Sequence, residues 1–266
     1  MVEDGTQARL LERAASGKML PSDTIVPIHR ILPPIDPIAV YGVGLNYRDH
    51  AAETGKEVPR LPILFMKAPS SVTGHLCPIV IPHAAAAKPE VDAEAELAVV
   101  IGSPAKDVAV ADALSYVLGY TVANDVSARR WQGKKGGGQW TFAKSFDTFC
   151  PLGPYIVPRS LVPDPQNLVV RCSINGKVTQ EGNTRDMVFS VAELIAHASQ
   201  GTTLAPGTVI LTGTPAGVGV ARDPPVFLSD GDVVEVQVQD VGTLRNVVRC
   251  NRIQTLEMVL PQSEPR

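Results

Sequence analysis

The sequence predicts a mixed α/β fold that is predominantly β, with a few peripheral helices. Short β-branched runs recur between Gly and Pro residues from residue 38 onward, whereas helical spacing is confined to a few segments. The chain has 266 residues and a hydrophobic content of 44%, enough to bury a sizeable core. We therefore expect one main domain, at residues 38–266.

The first 37 residues are expected to lead into this domain rather than to form a core of their own. They begin with the helix-like segment "TQARLLERAASG", residues 6–17, and end in the Pro-rich segment "ILPPIDP", residues 31–37. Proline favours extended and turn conformations, so the second segment indicates a boundary.

Seven runs in the main domain have the composition and length of strands. In chain order they are "IAVYGVG", "LAVVIG", "GYTVAND", "LVVRCSING", "GTVILTG", "DVVEVQV" and "NVVRC". The pair Asn175-Gly176 predicts a tight hairpin turn after the fourth run. Helices are predicted at "YRDHAAETG", "VADALSYVLG" and "SVAELIAHASQG", and Ser190 with Glu193 gives the last one a capping-box spacing.

Charge and cysteine usage limit the classes of partner. The net charge of -3 and the lack of long basic runs argue against nucleic acid or an anionic membrane, so we expect a small-molecule substrate. No apolar run approaches the roughly 20 residues of a membrane helix, and the acidic start is unlike a secretory signal. We expect a cytoplasmic protein, with a mitochondrial location not excluded. The four scattered cysteines indicate buried free thiols rather than disulfides or a zinc site.

The segment "VDAEAEL", residues 91–97, contains two closely spaced acids that could take part in the function. Glu94 and Glu96 would share one face of a strand with apolar residues, whereas in a helix they would be solvated surface acids. The β-branched run that follows favours the strand. Asp125 ends another apolar strand and offers a third carboxylate, unless it is only a turn or cap residue. Three carboxylates suit a hard divalent cation, Mg²⁺, Mn²⁺ or Ca²⁺.

Other side chains could move protons or bind an anion. His50 and Glu53 are three residues apart, so on a helix the carboxylate could orient the imidazole, or the pair could form a solvated face. Lys144, between two phenylalanines, could bind an anionic substrate or reach the surface. Arg129 and Gln132 lie close to Asp125 in the sequence and could add polar contacts.

Two glycine-rich segments have different expected roles. The segment "WQGKKGGGQW", residues 131–140, is flexible and cationic and could be a mobile lid over an acidic substrate, or only a linker. The segment "TGTPAGVG", residues 212–219, lacks the Lys-Ser/Thr pair of a phosphate loop. It is expected to approach a ligand or a neighbouring strand closely through its backbone.

Eight segments together resemble the fumarylacetoacetate hydrolase family, and in particular its smaller members. In order they are "GLNYRDHAAETG", "PILFMKAPSSVTG", "VDAEAELAVVIG", "GYTVANDVSARRWQ", "KSFDTFCPLGP", "INGKVTQEGNTRDMVFSVAELI", "LAPGTVILTGTPAGVG" and "LSDGDVVEVQVQDVGTLRN". The resemblance implies a mixed β-roll fold, a homodimer, bound Mg²⁺ or Mn²⁺, and an anionic 2-oxo acid substrate. The expected reaction is hydrolysis of a C–C bond in an acylpyruvate-like acid. The alternatives are oxaloacetate decarboxylation, keto–enol tautomerisation, and a related lyase or dehydratase reaction.

The same resemblance assigns roles to individual residues. It implies that Glu94, Glu96 and Asp125 are metal ligands, that His50, Glu53 and Lys144 are catalytic, and that Arg129, Gln132 and Thr214 bind substrate. Three positions depart from the family pattern: Ala93, Ala143 and Arg130. These departures are expected to reshape the substrate pocket without affecting the metal ligands.

Overall fold

The computed structural model describes residues 7–14, 16–86 and 90–251, and the chain divides into two compact units, Met1–Leu32 and Pro33–Arg266. In the first unit, β1 (Gln7–Arg13) pairs antiparallel with β2 (Met19–Pro27). The helix-like interpretation of residues 6–17 is therefore wrong for residues 7–13, while residues 6 and 15 lie outside the described residues. The side chains of β1 are mostly exposed, so it has no buried stripe to stabilise a helix, and the ladder with β2 satisfies its backbone groups instead.

The second unit is built mainly from strands. They are β3 (Val40–Gly44), β4 (Ile63–Lys67), β5 (Val72–Thr73), β6 (Ile79–Ile81), β7 (Val91–Asp92), β8 (Ala95–Ile101), β9 (Val117–Asn124), β10 (Ser127–Ala128), β11 (Cys150–Pro158), β12 (Val169–Ile174), β13 (Lys177–Asn183), β14 (Val209–Leu211), β15 (Val233–Val238) and β16 (Gly242–Cys250). A seven-stranded sheet has the order β4-β3-β14-β8-β9-β11-β5, and a five-stranded sheet has the order β13-β12-β15-β16-β6. β7 pairs with β10 in a small third sheet. All seven predicted strand runs are confirmed, and so is the predominantly β fold.

The helices are short. They are α1 (Arg48–Glu53), α2 (His83–Ala86), α3 (Arg129–Gln132), α4 (Trp140–Ala143) and α5 (Val191–Ala198), with 3-10 turns at Pro69–Ser71, Val110–Tyr116, Lys134–Gly136, Arg159–Leu161, Thr184–Asp186 and Gly219–Ala221. The predicted helices α1 and α5 are confirmed, and α5 has the capping box. The helix predicted for "VADALSYVLG" is wrong in its second part, because β9 begins at Val117 and pairs with β8 and β11.

Local details agree with the remaining predictions. Asn175 and Gly176 both have positive φ values, of 52° and 77°, and join β12 to β13 in the predicted tight hairpin. Cys150 and Cys172 are buried free thiols. In the described part of the chain, no helix is both long and apolar enough to span a membrane.

Strand β8 is buried on both faces, which determines the environment of the site. Leu97 and Val99 pack into the larger hydrophobic cluster, and Ala98 and Val100 pack into a second cluster on the other face. β8 has β14 on one side and β9 on the other, so its backbone groups are paired as well. Any acid on this strand is therefore withdrawn from water and needs a compensating partner.

Candidate active site

Three acids meet at the end of β8. Glu94 lies just before β8, Glu96 is its second residue, and Asp125 directly follows β9, where its backbone N–H donates to the Glu94 carbonyl at 2.9 Å. One carboxylate oxygen from each of the three acids lies within 4.8 Å of the others, and all three side chains are buried. The strand interpretation of "VDAEAEL" is confirmed for residues 91–92 and 95–97, with Glu94 between the two strands, and the surface helix is wrong for these acids. Residues 87–89 lie outside the described residues.

Lys144 forms ion pairs with two of these acids. Its Nζ donates hydrogen bonds to Glu94 Oε2 at 2.8 Å and to Asp125 Oδ2 at 2.5 Å, and a third bond goes to Ser127 Oγ at 2.6 Å. Burial alone would lower the pKa of Lys144, but the charges of Asp125 and Glu94 raise it. Lys144 is thus a buried ammonium group and does not reach the surface.

A second buried lysine escaped the sequence analysis. Lys67, the last residue of β4, is 0% exposed, and its Nζ donates to Asp125 Oδ1 at 2.6 Å. The two oxygens of Asp125 are therefore held by two different ammonium groups. A usable pattern was present in the sequence, because Lys67 lies two residues after Phe65 and so shares its inward face of the strand.

Glu96 differs from the other two acids. It accepts a hydrogen bond from the Gly213 N–H at 2.7 Å, but within the described residues it forms no ion pair. Burial, followed by the charges of Asp125 and Glu94, raises the pKa of Glu96. Burial would also raise the pKa of Glu94, but Lys144 and Arg129 outweigh it and the pKa is lowered. A hard divalent cation fits this cluster, because it would supply the positive charge that Glu96 lacks.

His50 and Glu53 form the expected pair on α1. His50 Nδ1 lies 2.8 Å from Glu53 Oε1, and Glu53 Oε2 accepts a hydrogen bond from the Gly217 N–H at 2.8 Å. His50 is buried, so the solvated-face alternative is wrong. An ionised Glu53 can only accept, so Nδ1 would donate in this contact and Nε2 would be the ring nitrogen left to act as a base.

Asp92 is another buried acid that the sequence analysis did not select. Its Oδ2 accepts from Arg129 Nε and Nη2 at 3.0 and 2.9 Å, and from the Val220 N–H at 3.0 Å. Its Oδ1 accepts from the Gly219 N–H at 2.9 Å. Asp92 therefore connects Arg129 to the loop after β14. It precedes Glu94 by two residues, so the alternation that identified Glu94 and Glu96 also indicated Asp92.

The loop after β14 binds site carboxylates through its backbone. The N–H groups of Gly213, Gly217 and Gly219 donate to Glu96, Glu53 and Asp92, respectively. A side chain at Gly217 would meet the carbonyl oxygen of Thr179. The expectation of a close backbone approach at "TGTPAGVG" is confirmed.

Arg129 and Thr214 are largely occupied by protein partners. Arg129 Nη1 lies 2.6 Å from Glu94 Oε1 and donates to Gln132 Oε1 at 2.9 Å. The Thr214 hydroxyl donates to the Ala95 carbonyl at 2.9 Å and accepts from Gln180 Nε2 at 2.7 Å. Their role in substrate binding stays a prediction.

A cavity of about 450 Å³ collects most of these groups. Its walls are formed by Val43, Gly44, Leu45, His50, Thr54, Lys56, Phe65, Glu94, Glu96, Arg129, Gln132, Gly133, Lys134, Gly138, Trp140, Lys144, Thr214 and Val220. Ala93, Ala143 and Arg130 are not among these residues, and their effect on the shape of the pocket stays a prediction. The first two are buried elsewhere, and Arg130 is exposed.

The predicted lid segment is folded beside this cavity. The 3-10 turn Lys134–Gly136 separates α3 from α4, and the backbone N–H groups of Gly136 and Gly138 both donate to the Gly133 carbonyl. Trp140 packs edge-on against Phe65, with ring centroids 5.7 Å apart. The segment thus supplies part of the cavity wall, and its movement stays a prediction.

Comparisons with known proteins show which families and structures this chain is similar to. The family model described as "Fumarylacetoacetate (FAA) hydrolase C-terminal" matches residues 39–249. A mitochondrial oxaloacetate tautomerase of Xenopus laevis is 50% identical over 83% of this chain and 68% of that protein. A human counterpart, also a mitochondrial oxaloacetate tautomerase, is 46% identical over 93% of this chain and 78% of its own length. A solved 2-hydroxyhepta-2,4-diene-1,7-dioate isomerase from Mycobacterium marinum has 40% identity and a TM-score of 0.75, covering 92% of this chain and 88% of that one.

Proposed function

Because this chain belongs to the fumarylacetoacetate hydrolase family, we propose that it catalyses keto–enol tautomerisation of oxaloacetate or a closely related 2-oxo acid. The two curated relatives described above carry this activity in their names, and the similar solved structure is named an isomerase. The reaction first expected from the sequence was C–C hydrolysis, with tautomerisation among its alternatives. The comparisons support the tautomerisation alternative better, and both reactions are enzymatic activities compatible with this family.

The proposal rests on one observation: a candidate base, His50, lines the same cavity as Glu94 and Glu96 of the acid cluster. Tautomerisation moves a proton between C3 of the acid and the oxygen on C2. His50 Nε2 would take the C3 proton, Glu53 would stabilise the imidazolium that forms, and the imidazolium would then return the proton to the oxygen on C2. A divalent cation held by Glu94, Glu96 and Asp125 would supply positive charge that favours the enolate form.

Lys144 would act here by positioning the acids rather than by transferring a proton. An ammonium group has three N–H donors, and Lys144 uses them on Glu94, Asp125 and Ser127. We propose Mg²⁺ or Mn²⁺ as the ion, and a homodimer as the assembly. Sedimentation at twice the chain mass of 28.3 kDa would support the dimer, and sedimentation at that mass would contradict it.

The test is exchange of the C3 hydrogens of oxaloacetate with solvent deuterium, followed by NMR with Mg²⁺ present. His50→Ala should reduce the enzyme-dependent exchange rate by about 100-fold or more, because the base is removed. His83→Ala is the matched control, since His83 is exposed on α2 and does not line the cavity. Wild-type exchange in His50→Ala would refute the assigned base.

C–C hydrolysis is the second candidate, and the same histidine pair favours it. Nε2 could instead deprotonate a water molecule that attacks the distal carbonyl of an acylpyruvate. Acetylpyruvate cleavage and CO₂ release from oxaloacetate should be measured on the same enzyme sample. If acetylpyruvate is cleaved while oxaloacetate exchange stays at the buffer rate, the hydrolase proposal replaces the tautomerase.

A further inference from the structure

The buried cationic groups of the site are already used by the protein. Lys67 and Lys144 hold Asp125, and Lys144 also holds Glu94. Arg129 directs its guanidinium to Asp92, Glu94 and the side chain of Gln132. A substrate with a second carboxylate would need a different positive group.

Two lysines in the cavity wall are available for this purpose. Lys56 follows α1, where its backbone N–H donates to the Ala51 carbonyl at 2.9 Å, and Lys134 begins the 3-10 turn of the lid segment. Both side chains are exposed, and both residues line the cavity. Among the described residues, neither ammonium group forms an ion pair or a side-chain hydrogen bond.

The rest of the wall fits an elongated anion. Phe65, Trp140, Val43 and Leu45 provide apolar surface in the same cavity as the acid cluster and the two lysines. A carbon chain can lie against such surface without leaving polar groups unpaired. The wall thus combines an acidic cluster suited to a cation, apolar surface for methylene groups, and unpaired positive charge.

We propose that Lys56 and Lys134 form a subsite for the distal carboxylate of the substrate, so that the enzyme prefers 2-oxo dicarboxylic acids to 2-oxo monocarboxylic acids. This inference rests on the proposed function, because it assumes that the 2-oxo acid end lies at the acid cluster. The subsite would supply the positive charge that a dianion needs in a cavity that contains buried acids. It identifies the two lysines as specificity residues rather than catalytic residues.

The test compares oxaloacetate with 2-oxobutanoate, in which a methyl group replaces the distal carboxylate. Calorimetry in the presence of Mg²⁺ gives Kd for both acids, and C3 deuterium exchange gives KM and kcat for oxaloacetate. The double variant Lys56→Met/Lys134→Met should weaken oxaloacetate binding roughly tenfold and raise its KM similarly. Its kcat and its affinity for 2-oxobutanoate should stay close to the wild-type values.

Two control variants distinguish a carboxylate subsite at Lys56 and Lys134 from a general electrostatic effect of positive surface charge. Lys135→Met removes a neighbouring exposed charge that does not line the cavity, and it should leave both affinities unchanged. Lys56→Arg/Lys134→Arg keeps the charges and should retain the preference. An equal effect of Lys135→Met, or equal weakening of both acids in the double variant, would overturn the subsite.

Failure of the subsite and failure of the tautomerase give different results. If wild-type protein exchanges oxaloacetate hydrogens but binds both acids equally, the subsite is wrong and the proposed function stands. If it shows no exchange, the proposed function fails. Even then, the subsite would be supported if calorimetry shows tighter binding of oxaloacetate than of 2-oxobutanoate and if the double variant loses this difference.

Discussion

Replacing Lys67 by methionine tests whether the buried charges of the site depend on one another. Methionine keeps most of the apolar stem but removes the ammonium group that lies 2.6 Å from Asp125 Oδ1 and 3.3 Å from the Val126 carbonyl oxygen. Breaking a buried ion pair on one side costs about 3–5 kcal/mol, because the remaining charge stays buried. Lys144 still contacts the other oxygen of Asp125 at 2.5 Å, so we expect the lower end, about 3 kcal/mol.

Thermal and urea denaturation measure this loss. At this chain length 1 kcal/mol corresponds to roughly 2 °C, so Lys67→Met should lower Tm by about 6 °C in the metal-free protein. Saturating Mg²⁺ should recover part of the loss, because a divalent cation supplies positive charge beside Asp125 and binds only the folded state. Lys177→Met, at an exposed position on β13, is the matched control and should change Tm little.

Lys67→Met should therefore lower Tm less in the metal-bound protein than in the metal-free protein. If Lys67→Met lowers Tm equally with EDTA and with Mg²⁺, the divalent ion does not compensate Asp125 and the proposed metal site is wrong. If the metal-free loss is no larger than that of Lys177→Met, Asp125 does not depend on Lys67.

The other predictions concern the acids and the lid. Glu96→Gln should abolish the calorimetric signal of Mg²⁺ binding while leaving the fold intact by circular dichroism; an unchanged isotherm would exclude Glu96 as a ligand. Asp92→Asn should lower the free energy of unfolding in urea by about 3 kcal/mol, since Arg129 loses a buried anion. Hydrogen bonds from Ser190 lower the pKa of Glu193, so their stabilisation is present above the unfolded pKa and is lost as pH falls through the folded pKa. Glu193→Ala should therefore cost about 1 kcal/mol or less at pH 7, and the gap to wild type should close in acid; a constant gap would contradict this. Hydrogen exchange over residues 131–140 should slow when oxalate is added with Mg²⁺, and equal exchange with the metal site occupied would refute the lid.

The site residues that could be predicted from the sequence are those whose spacing matches the repeat of a strand or of a helix. Glu94 and Glu96 are two residues apart before a β-branched run, and His50 and Glu53 have helical spacing, so each pair could be assigned to one face. Asp92 has the same two-residue spacing, but it lies farther from the apolar run that indicates the strand.

The rest depends on contacts between distant segments. Lys67 meets Asp125 across 58 residues, and the loop amides meet Glu53 and Glu96 across more than 100 residues. Backbone N–H groups carry no sequence pattern, so only the folded chain shows that glycines donate to these carboxylates. The incorrect helix in β1 has a related cause, since pairing with β2 outweighs local helix propensity.

The balance of charge in the site implies an order of binding. Within the described residues, four buried carboxylates face three buried cationic side chains: Asp92, Glu94, Glu96 and Asp125 against Lys67, Lys144 and Arg129. Without a metal, the raised pKa of Glu96 favours its neutral acid form, which leaves the cluster close to neutral. A divalent cation would displace that proton and leave an excess positive charge, which would attract the anionic substrate of the proposed function. The metal should therefore bind before the substrate. Because the coupling between two binding equilibria is reciprocal, the metal should raise the affinity for the substrate by the same factor by which the substrate raises the affinity for the metal.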